Sequence, residues 1–253
     1  MAIIIKNKEQ QKGIRAASKV VAKVLDAIGK EIRAGLSSKK LEEIALDVMK
    51  RNNAKSGCYG CGEPDNPYPG HICVSINDEI VHGIPNNRPL QDGDLVSVDV
   101  VAELDGYFGD ATRSWTIGEV DDDVEKLLTI TRKALDAGID IARDGNTVRD
   151  ISRVIFEIAN KDDIGVVRDL VGHGVGIKMH EPPQVPNFIT RGPTVRLREG
   201  MTIAIEPMFT LGDFRVKVDP DGWTVRTSDG SIAAHFENTI LIRKGKPEVL
   251  TIL

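Results

Sequence analysis

Residues 92–117 read DGDLVSVDVVAELDGYFGDATRSWTI, and this stretch decides the fold because it has the pattern of a β-hairpin. Every second residue from Val96 to Val100 is a valine, which is the two-residue period of a half-buried strand. The dipeptide Asp105-Gly106 is a strong tight-turn signal, and a second strand is expected over residues 107–117. The sequence therefore predicts two antiparallel strands joined by a short loop.

The predicted hairpin carries two acidic residues whose relative position depends on the loop length. With a two-residue loop, Asp110 lies opposite Val101 and diagonal to Asp99; with a four-residue loop, Asp99 lies directly opposite Asp110. Either even-numbered loop places both carboxylates on one face, about 4.5–8 Å apart, whereas an odd loop or a bulge separates them. Because like charges repel at that distance, we expect a shared proton or, more in keeping with the rest of the chain, a bound cation.

The composition of the chain is that of an ordinary soluble protein. Of its 253 residues, 41% are hydrophobic and 28% are charged, and the formal net charge is −5. This balance does not favour nucleic-acid binding, and the sequence has no apolar run suited to a membrane span or a signal peptide. The three cysteines are too few for a secreted disulfide scaffold. We therefore expect a cytoplasmic protein with no membrane partner and no specific nucleic-acid partner.

The helical segments of the chain recur in its second half. An apolar stripe predicts a helix over residues 8–32, Ser37 or Ser38 is expected to cap the next helix, and the acidic residues 121–123 are expected to open a third. Residues 34–52 then resemble residues 144–162, at an offset of 110.

The strands recur as well, which favours an internal duplication. Residues 93–100 resemble residues 200–207 at an offset of 107, so that Glu206 matches Asp99, and Glu237 falls on the position of Asp110. Chance similarity between amphipathic segments is the alternative, but the acids recur in the same order. We expect a single catalytic domain over residues 1–253, with halves of about residues 1–118 and 119–253.

Five side chains are candidates for a metal centre, since together they offer four carboxylates and one imidazole: Asp99, Asp110, His173, Glu206 and Glu237. Taken singly, an acid in a strand is usually solvent-exposed or salt-bridged, and a histidine between glycines is commonly a loop residue. A protein core does not collect unpaired carboxylates without a cation, so the set as a whole favours metal binding. Five ligands suit two ions about 3.5–4 Å apart, as in two-metal hydrolases.

Six segments carry a resemblance to a known family: SINDEIVHGIP, DGDLVSVDV, GYFGDATRSW, GHGVGIKMHEPPQV, GMTIAIEPMF and DGWTVRTSDGSIAAHFENTI. They resemble the type I methionine aminopeptidases, which are metallopeptidases of the pita-bread family, and the resemblance extends over about residues 7–242. His173 and Glu206 are 33 residues apart, which leaves no room for the insertion of type II members. The resemblance implies an α+β pita-bread fold, with two pseudo-symmetric halves and an antiparallel sheet covered by helices.

The resemblance also implies roles for individual residues. The five candidates are expected to hold two divalent ions per chain (Co, Mn, Fe, Zn or Ni), with Asp110 and Glu237 bridging. Glu206 is expected to move protons during attack by a metal-bridging hydroxide. The catalytic set is completed by His82 near the scissile nitrogen and His180 at the substrate carbonyl. The methionine side chain is expected to contact Tyr68, Cys73, Met179 and Trp223.

The implied reaction removes the N-terminal methionine from nascent proteins when the second residue is small. The expected partners are peptides with an N-terminal Met and nascent chains. The resemblance also implies that the protein is a monomer. Contact with the ribosome stays open. Since the sequence begins Met1-Ala2, we also expect the protein to be a substrate for its own kind of enzyme.

Three features depart from the family pattern. Met179 stands where many relatives have an aromatic residue. Cys58 and Cys61 form a CxxC that, with His71 and Cys73, offers four zinc ligands, but the atypical spacing favours free thiols or one strained disulfide, and His71 is expected at the surface. His235 has no implied role and is expected to support either the site or only the fold.

Three alternative functions remain open at this point. An Xaa-Pro peptidase of the same fold is one, although such enzymes usually carry a large extra N-terminal domain. A pita-bread module that binds peptides without catalysis is another, although such proteins lose metal ligands and all five are present here. The third is a metal-dependent hydrolase that acts on something other than peptides.

Overall fold

A computed structural model describes residues 3–253, so the expectation for Met1 and Ala2 lies outside the described residues. The helices in this range are α1 (Lys8–Glu31), α2 (Ser38–Arg51), α3 (Asp122–Ile141) and α4 (Val148–Lys161). The strands are β1 (Lys55–Ser56), β2 (Cys73–Ile76), β3 (Glu79–Val81), β4 (Leu95–Leu104), β5 (Tyr107–Thr116), β6 (Gly165–Val166), β7 (Gly172–Gly174), β8 (Glu181–Val185), β9 (Thr202–Ile205), β10 (Met208–Thr210), β11 (Val216–Val218), β12 (Val225–Thr227), β13 (Ala233–His235), β14 (Asn238–Leu241) and β15 (Glu248–Val249).

The hairpin formed by β4 and β5 has the two-residue loop that the sequence allowed. Leu104 pairs with Tyr107, and the pairing continues without a register shift to Leu95 and Thr116. Asp105 and Gly106 both have positive φ, of 52° and 79°, as a tight hairpin turn of this kind requires. Of the two placements that the sequence left open for the acids, the structure has the diagonal one, with Asp110 opposite Val101.

The helices begin and end close to where the sequence predicts. Asn7 caps α1 with a reciprocal capping box, Ser37 rather than Ser38 caps α2, and Asp121 stands at the N-cap of α3. The residues between the Gly- and Pro-rich segment 57–70 and His82 predict a strand over residues 71–76, but β2 begins at Cys73. The backbone N–H of His71 donates to a carboxylate oxygen of Glu42 on α2, 2.7 Å away, which removes that residue from the sheet.

All strand pairs are antiparallel, and the fold is α+β as predicted. β4 pairs with β5 along one edge and with β2 and β1 along the other. A second sheet has the order β15-β14-β9-β7-β8, and two smaller sheets have the orders β13-β10-β6 and β11-β12-β3. None of the helices within residues 3–253 combines the length and apolar character needed to cross a bilayer.

Each half of the chain buries its own apolar core. One core is built from α1, α2 and the β4 sheet, with the fully buried Ile28, Leu41 and Val98 among its members. The other is built from α3, α4 and the β9 sheet, and includes Leu135 and Ile203. Helices thus cover one face of each sheet, and the opposite faces remain for a site between the halves.

Strand register supports the proposal that the two halves arose by duplication. Lys55 pairs with Glu103, and Gly165 pairs with Thr210; these pairs match at the offsets of 110 and 107 found in the sequence. The same offsets relate two isolated bridges, Ser37 with Pro89 and Thr147 with Arg196.

Candidate active site

The five metal-ligand candidates lie around one cavity of about 620 Å³ between the two halves. Asp99 and Asp110 come from the middle of β4 and β5. His173 lies on β7, Glu206 directly follows β9, and Glu237 directly precedes β14. The structure therefore brings together, from four parts of the chain, side chains that are up to 138 positions apart in sequence.

The ligating atoms are within coordination distance of a shared ion. His173 Nε2 is 3.7 Å from Asp110 Oδ2 and 3.5 Å from Glu206 Oε1. One ligand atom each from Asp110, His173 and Glu237 lies within 4.8 Å of the others. Atoms 3.5–3.7 Å apart can be ligands of one ion at the usual ligand distances of about 2.0–2.2 Å.

Burial raises the pKa of all four carboxyl groups, and mutual repulsion raises it further in three of them. The pKa of Asp99 is raised to about 6, chiefly by burial. Burial, followed by the charges of neighbouring acids, holds the pKa values of Asp110, Glu206 and Glu237 well above their ordinary range. This clustering is costly unless a cation neutralises it.

Two observations show that these residues fit a divalent ion. Asp99 Oδ1, Asp110 Oδ1 and Glu237 Oε1 are buried and have no hydrogen-bond partner among residues 3–253. His173 Nδ1 lies 2.9 Å from the carbonyl oxygen of Gly174, which favours a proton on Nδ1 and leaves the Nε2 lone pair facing the carboxylates. Lone pairs that face one another in this way are the donor set that a cation requires.

Residues that the sequence analysis assigned no role hold the acids in place. Thr112 Oγ1 donates to Glu237 Oε2 at 3.0 Å, and Thr239 Oγ1 lies 3.1 Å from the backbone nitrogen of Asp110. Arg113 donates to the carbonyl oxygen of Glu237 at 2.8 Å.

The sequence does indicate the two threonines, because Thr112 and Thr239 each follow by two positions one of the acids matched between the halves, Asp110 and Glu237. Arg113 and Asn187, whose side-chain amide donates to the Glu206 carbonyl at 2.9 Å, had none. Their partners lie in distant segments, so local sequence pattern could not reveal these contacts.

Another part of the cavity wall is apolar and adjoins Asp99, since Cys73 pairs with Asp99 across β2 and β4. It is formed by Tyr68, Cys73, Met179 and Trp223, the four residues expected to contact a methionine side chain, together with Cys58. The rings of Tyr68 and Trp223 meet edge to face, with centroids 5.1 Å apart. Tyr68 is almost fully buried, and its hydroxyl lies 2.9 Å from the carbonyl oxygen of Gly83, which fixes the ring.

Two further histidines, His82 and His180, also line the cavity. Burial lowers the pKa of His82 to about 4 and lowers that of His180 as well, and the neighbouring His180 lowers the pKa of His82 further. Both imidazoles are therefore neutral near pH 7. The ring of His180 meets that of His173 edge to face, with centroids 4.4 Å apart, and His82 has a positive φ of 59°.

The cysteines and His235 complete the cavity wall. Cys58, Cys61 and Cys73 are free thiols, and the neighbouring Cys73 thiol together with burial raises the pKa of Cys58 well above its usual value. His71 stacks on Tyr59, with ring centroids 4.4 Å apart, and is half-buried. His235 is buried, and its Nε2 lies 3.8 Å from Glu206 Oε2.

Comparison with known proteins places this geometry in a family context. Residues 12–244 match the profile described as Metallopeptidase family M24. A protein named methionine aminopeptidase from Clostridium acetobutylicum is 43% identical over 251 residues, which cover 99% of each chain. The methionine aminopeptidase from Thermotoga maritima, known from a crystal structure, has 41% sequence identity with this chain. The superposition covers 100% of both chains with a TM-score of 0.96. X-Pro aminopeptidase from Thermotoga maritima has a TM-score of 0.75 at 20% identity, with 62% of that chain covered, a likeness of fold alone.

Proposed function

The chain belongs to metallopeptidase family M24, and from this premise we propose that it is a type I methionine aminopeptidase. The enzyme hydrolyses the peptide bond after an N-terminal methionine. The relatives that match it over the full length bear that name, whereas the X-Pro enzyme shares the fold at much lower identity.

One observation carries the proposal: a single cavity of about 620 Å³ is lined by four carboxylates and an imidazole and, beside them, by an apolar wall. The polar wall suits the free amine and carbonyl at the start of a peptide. The apolar wall suits an unbranched thioether side chain, which gains stability by leaving water. A non-catalytic binding module would not need the unpaired carboxylate oxygens.

We assign the metal-binding role to Asp99, Asp110, His173, Glu206 and Glu237, which together would hold two divalent ions, with Asp110 and Glu237 expected to serve both. When bound, divalent ions supply a water of lowered pKa and polarise the scissile carbonyl. Cobalt, manganese, iron, zinc and nickel are all compatible with the donor set, since carboxylate and imidazole ligands do not select strongly among them.

The chain's own residues then position the substrate and move protons. Glu206 takes the proton of the attacking water on its carboxylate and passes it to the leaving amine. His180, neutral near pH 7, donates an N–H hydrogen bond to the substrate carbonyl oxygen as negative charge develops there. His82, which is also neutral, contacts the nitrogen of the scissile bond.

The apolar wall determines which residue is removed. Tyr68, Cys73, Met179 and Trp223 enclose the methionine side chain, and the Tyr68 hydroxyl is already engaged by backbone carbonyls. A second residue must pass between this wall and the metal ligands, so we infer a preference for small second residues. Nascent chains in the cytoplasm are the natural substrates of such an enzyme, acting as a monomer.

The test is the release of free methionine from a Met-Ala-Ser peptide. We expect no release after treatment with a chelator, and recovery when Co, Mn, Fe, Zn or Ni is restored singly. A Met-Trp-Ser peptide tests the size limit at the second residue, and an Ala-Pro peptide tests the Xaa-Pro alternative. Cleavage of Ala-Pro in preference to Met-Ala-Ser, or release of methionine with no metal present, would refute the proposal.

A further inference from the structure

A buried ion pair ties the start of the chain to the wall of the cavity. Lys6 Nζ lies 2.6 Å from Glu181 Oε2, and both side chains are about 1% exposed. The two residues are 175 positions apart. Glu181 also lines the cavity, directly after His180. No sequence pattern predicts a role for either residue.

The other oxygen of the same carboxylate closes the turn that carries His180. Glu181 Oε1 accepts the backbone N–H of Ile177 at 2.6 Å and that of Lys178 at 2.9 Å. The carboxylate is therefore bonded at both oxygens, and its orientation sets the path of residues 177–181. The imidazole of His180 projects from this turn, against the ring of His173.

Lys6 is itself held firmly by its backbone. Its N–H donates to the carbonyl oxygen of Gly200 at 2.9 Å, and its own carbonyl accepts from the side-chain amide of Gln11 at 2.7 Å. Among residues 3–253, Glu181 is the one hydrogen-bond partner of the ammonium group. The position of the Lys6 ammonium group is therefore fixed, and it fixes in turn the position of the Glu181 carboxylate.

Stability alone does not account for a pair of this kind. Replacing a buried ion pair with apolar residues of similar size is often neutral or stabilising, because desolvation offsets the attraction. A buried pair does, however, define one geometry, since its hydrogen bonds are strong and directional. The position that this pair defines is that of the turn bearing His180.

We propose that Lys6 is a positioning residue for catalysis, which acts through Glu181 to hold His180 at the substrate carbonyl. This inference rests on the proposed function, because it is in methionine release that His180 contacts substrate. A purely structural pair would anchor the N-terminal segment and affect the site only by loosening the whole fold.

The test is a double-mutant cycle with Lys6→Met and His180→Ala. We expect Lys6→Met to lower kcat about 10–100-fold with KM changed less than about threefold, since a misplaced group costs rate more than binding. In the His180→Ala background, Lys6→Met should change kcat less than about twofold, because the residue it positions is gone. Losses that multiply in the double mutant would overturn the proposal.

Arg15→Met is the matched control. It breaks another long-range ion pair, between Arg15 and Glu248, which ties α1 to β15 away from the cavity. It should leave kcat unchanged in both backgrounds. If Lys6→Met does not fold, the Lys6→Met/Glu181→Gln variant, which leaves no unpaired buried charge, takes its place in the cycle and should show the same pattern.

A second readout separates this inference from the proposed function. In ¹⁵N-histidine NMR spectra of the metal-free protein, Lys6→Met should shift or broaden the His180 side-chain signals, and Arg15→Met should not. If the wild-type protein releases no methionine, the proposed function fails, while the NMR comparison still decides whether Lys6 positions His180. Unchanged His180 signals in Lys6→Met would overturn the positional claim directly.

Discussion

The acids of the first half lie within unbroken strands, whereas those of the second half lie where strands are interrupted. Asp99 and Asp110 stand inside β4 and β5, which pair along all ten residues of each strand. Glu206 lies between β9 and β10, and Glu237 lies between β13 and β14. Because of these breaks, β9 pairs with β14 in one sheet and β10 pairs with β13 in another.

The interruption opens the second half toward the cavity. Pro207 has no N–H to continue the ladder, so the chain changes sheets at that point. Met208 and His235, which belong to the diverging strands, become part of the cavity wall. The first half supplies aspartates from continuous strands, and the second half supplies the longer glutamate side chains where its strands are interrupted.

The imidazole is also specific to one half. Gly174 pairs with Ile203 as Ile76 pairs with Val96, so His173 occupies the position that Ser75 has in the first half. The Ser75 hydroxyl accepts the N–H of Gly83 instead of facing the cavity. The comparison teaches that the parts common to both halves place the four carboxylates, while the parts that differ provide the imidazole and the apolar wall.

Replacing one shared acid from each half is the strongest way to break this comparison. Asp110→Asn and Glu237→Gln should each reduce methionine release more than about 100-fold, since loss of a group that merely supports a ligand already costs up to about 100-fold. Metal content measured by mass spectrometry should fall in parallel. Both metal-free variants should melt at a higher temperature than the wild type, because a repelling charge is removed. Retained activity in either variant would show that its half is not needed.

The matched threonines sharpen the comparison at a smaller scale. Thr112→Val removes the hydrogen bond to the Glu237 carboxylate, so metal affinity should fall about 10–100-fold by isothermal titration. Thr239→Val should cost less, because that hydroxyl contacts the backbone of Asp110 and not its carboxylate. Equal effects would mean that the halves support their acids in the same way.

The stability of the metal-free protein should depend on pH because of the four acids. Their folded-state pKa values are raised, so their contribution to stability is full below about pH 4 and is lost as pH rises through the folded values. His82 and His173, with pKa values lowered to about 4, have the opposite sign between pH 4 and 6.5.

Above about pH 7.5 the histidine contribution is nearly constant, because unfolded-state imidazoles are then mostly neutral, and the buried carboxyl groups and thiols, whose pKa values are raised, remain. The free energy of unfolding without metal should then fall with rising pH, by at most about 1.4 kcal/mol per pH unit for each carboxyl that is still protonated. Urea titrations at pH 7.5, 8 and 8.5 measure this, and the Asp110→Asn variant separates the carboxyl contribution from that of the thiols. The slope should be smaller in Asp110→Asn, and a flat profile in the wild type would contradict the clustering of the acids.

The smallest effect is expected at the apolar wall. Met179→Phe introduces the aromatic residue that the family resemblance implies, at a half-buried position. A swap between apolar residues of similar size costs little, so KM for Met-Ala-Ser should change less than about threefold and kcat should stay the same. A change above tenfold would show that Met179 determines specificity more strongly than its flexibility suggests.

The parts of the fold that the sequence predicted are those decided by local chemistry. The Asp105-Gly106 turn, the Asn7 and Ser37 regions at helix starts and the alternation in β4 each act within a few residues. Pro207, which has no N–H for a strand ladder, predicts the end of the strand near Glu206 and β9 ends there, although nothing local shows that the chain then joins another sheet. The start of β2 was predicted two residues early, because Glu42 on α2 captures His71.

The site residues that could be predicted are those whose flanking sequence matches between the halves or resembles the family motifs. The five ligand candidates and the four residues of the apolar wall all reach the same cavity. Three residues could not be predicted, because each contacts a group more than 15 residues away in sequence: Arg113, Asn187 and Lys6. Such contacts depend on how the halves dock, which periodicity and spacing do not encode.

The two separate apolar cores have a consequence for how the chain can be divided. Apart from Leu95, every buried member of the second core lies beyond residue 121, and every one of the first lies before residue 118. A cut within residues 118–121 would therefore yield two fragments that each keep a nearly complete interior. Their reunion would bring four repelling carboxylates face to face, so divalent ions should act as the switch for fragment complementation.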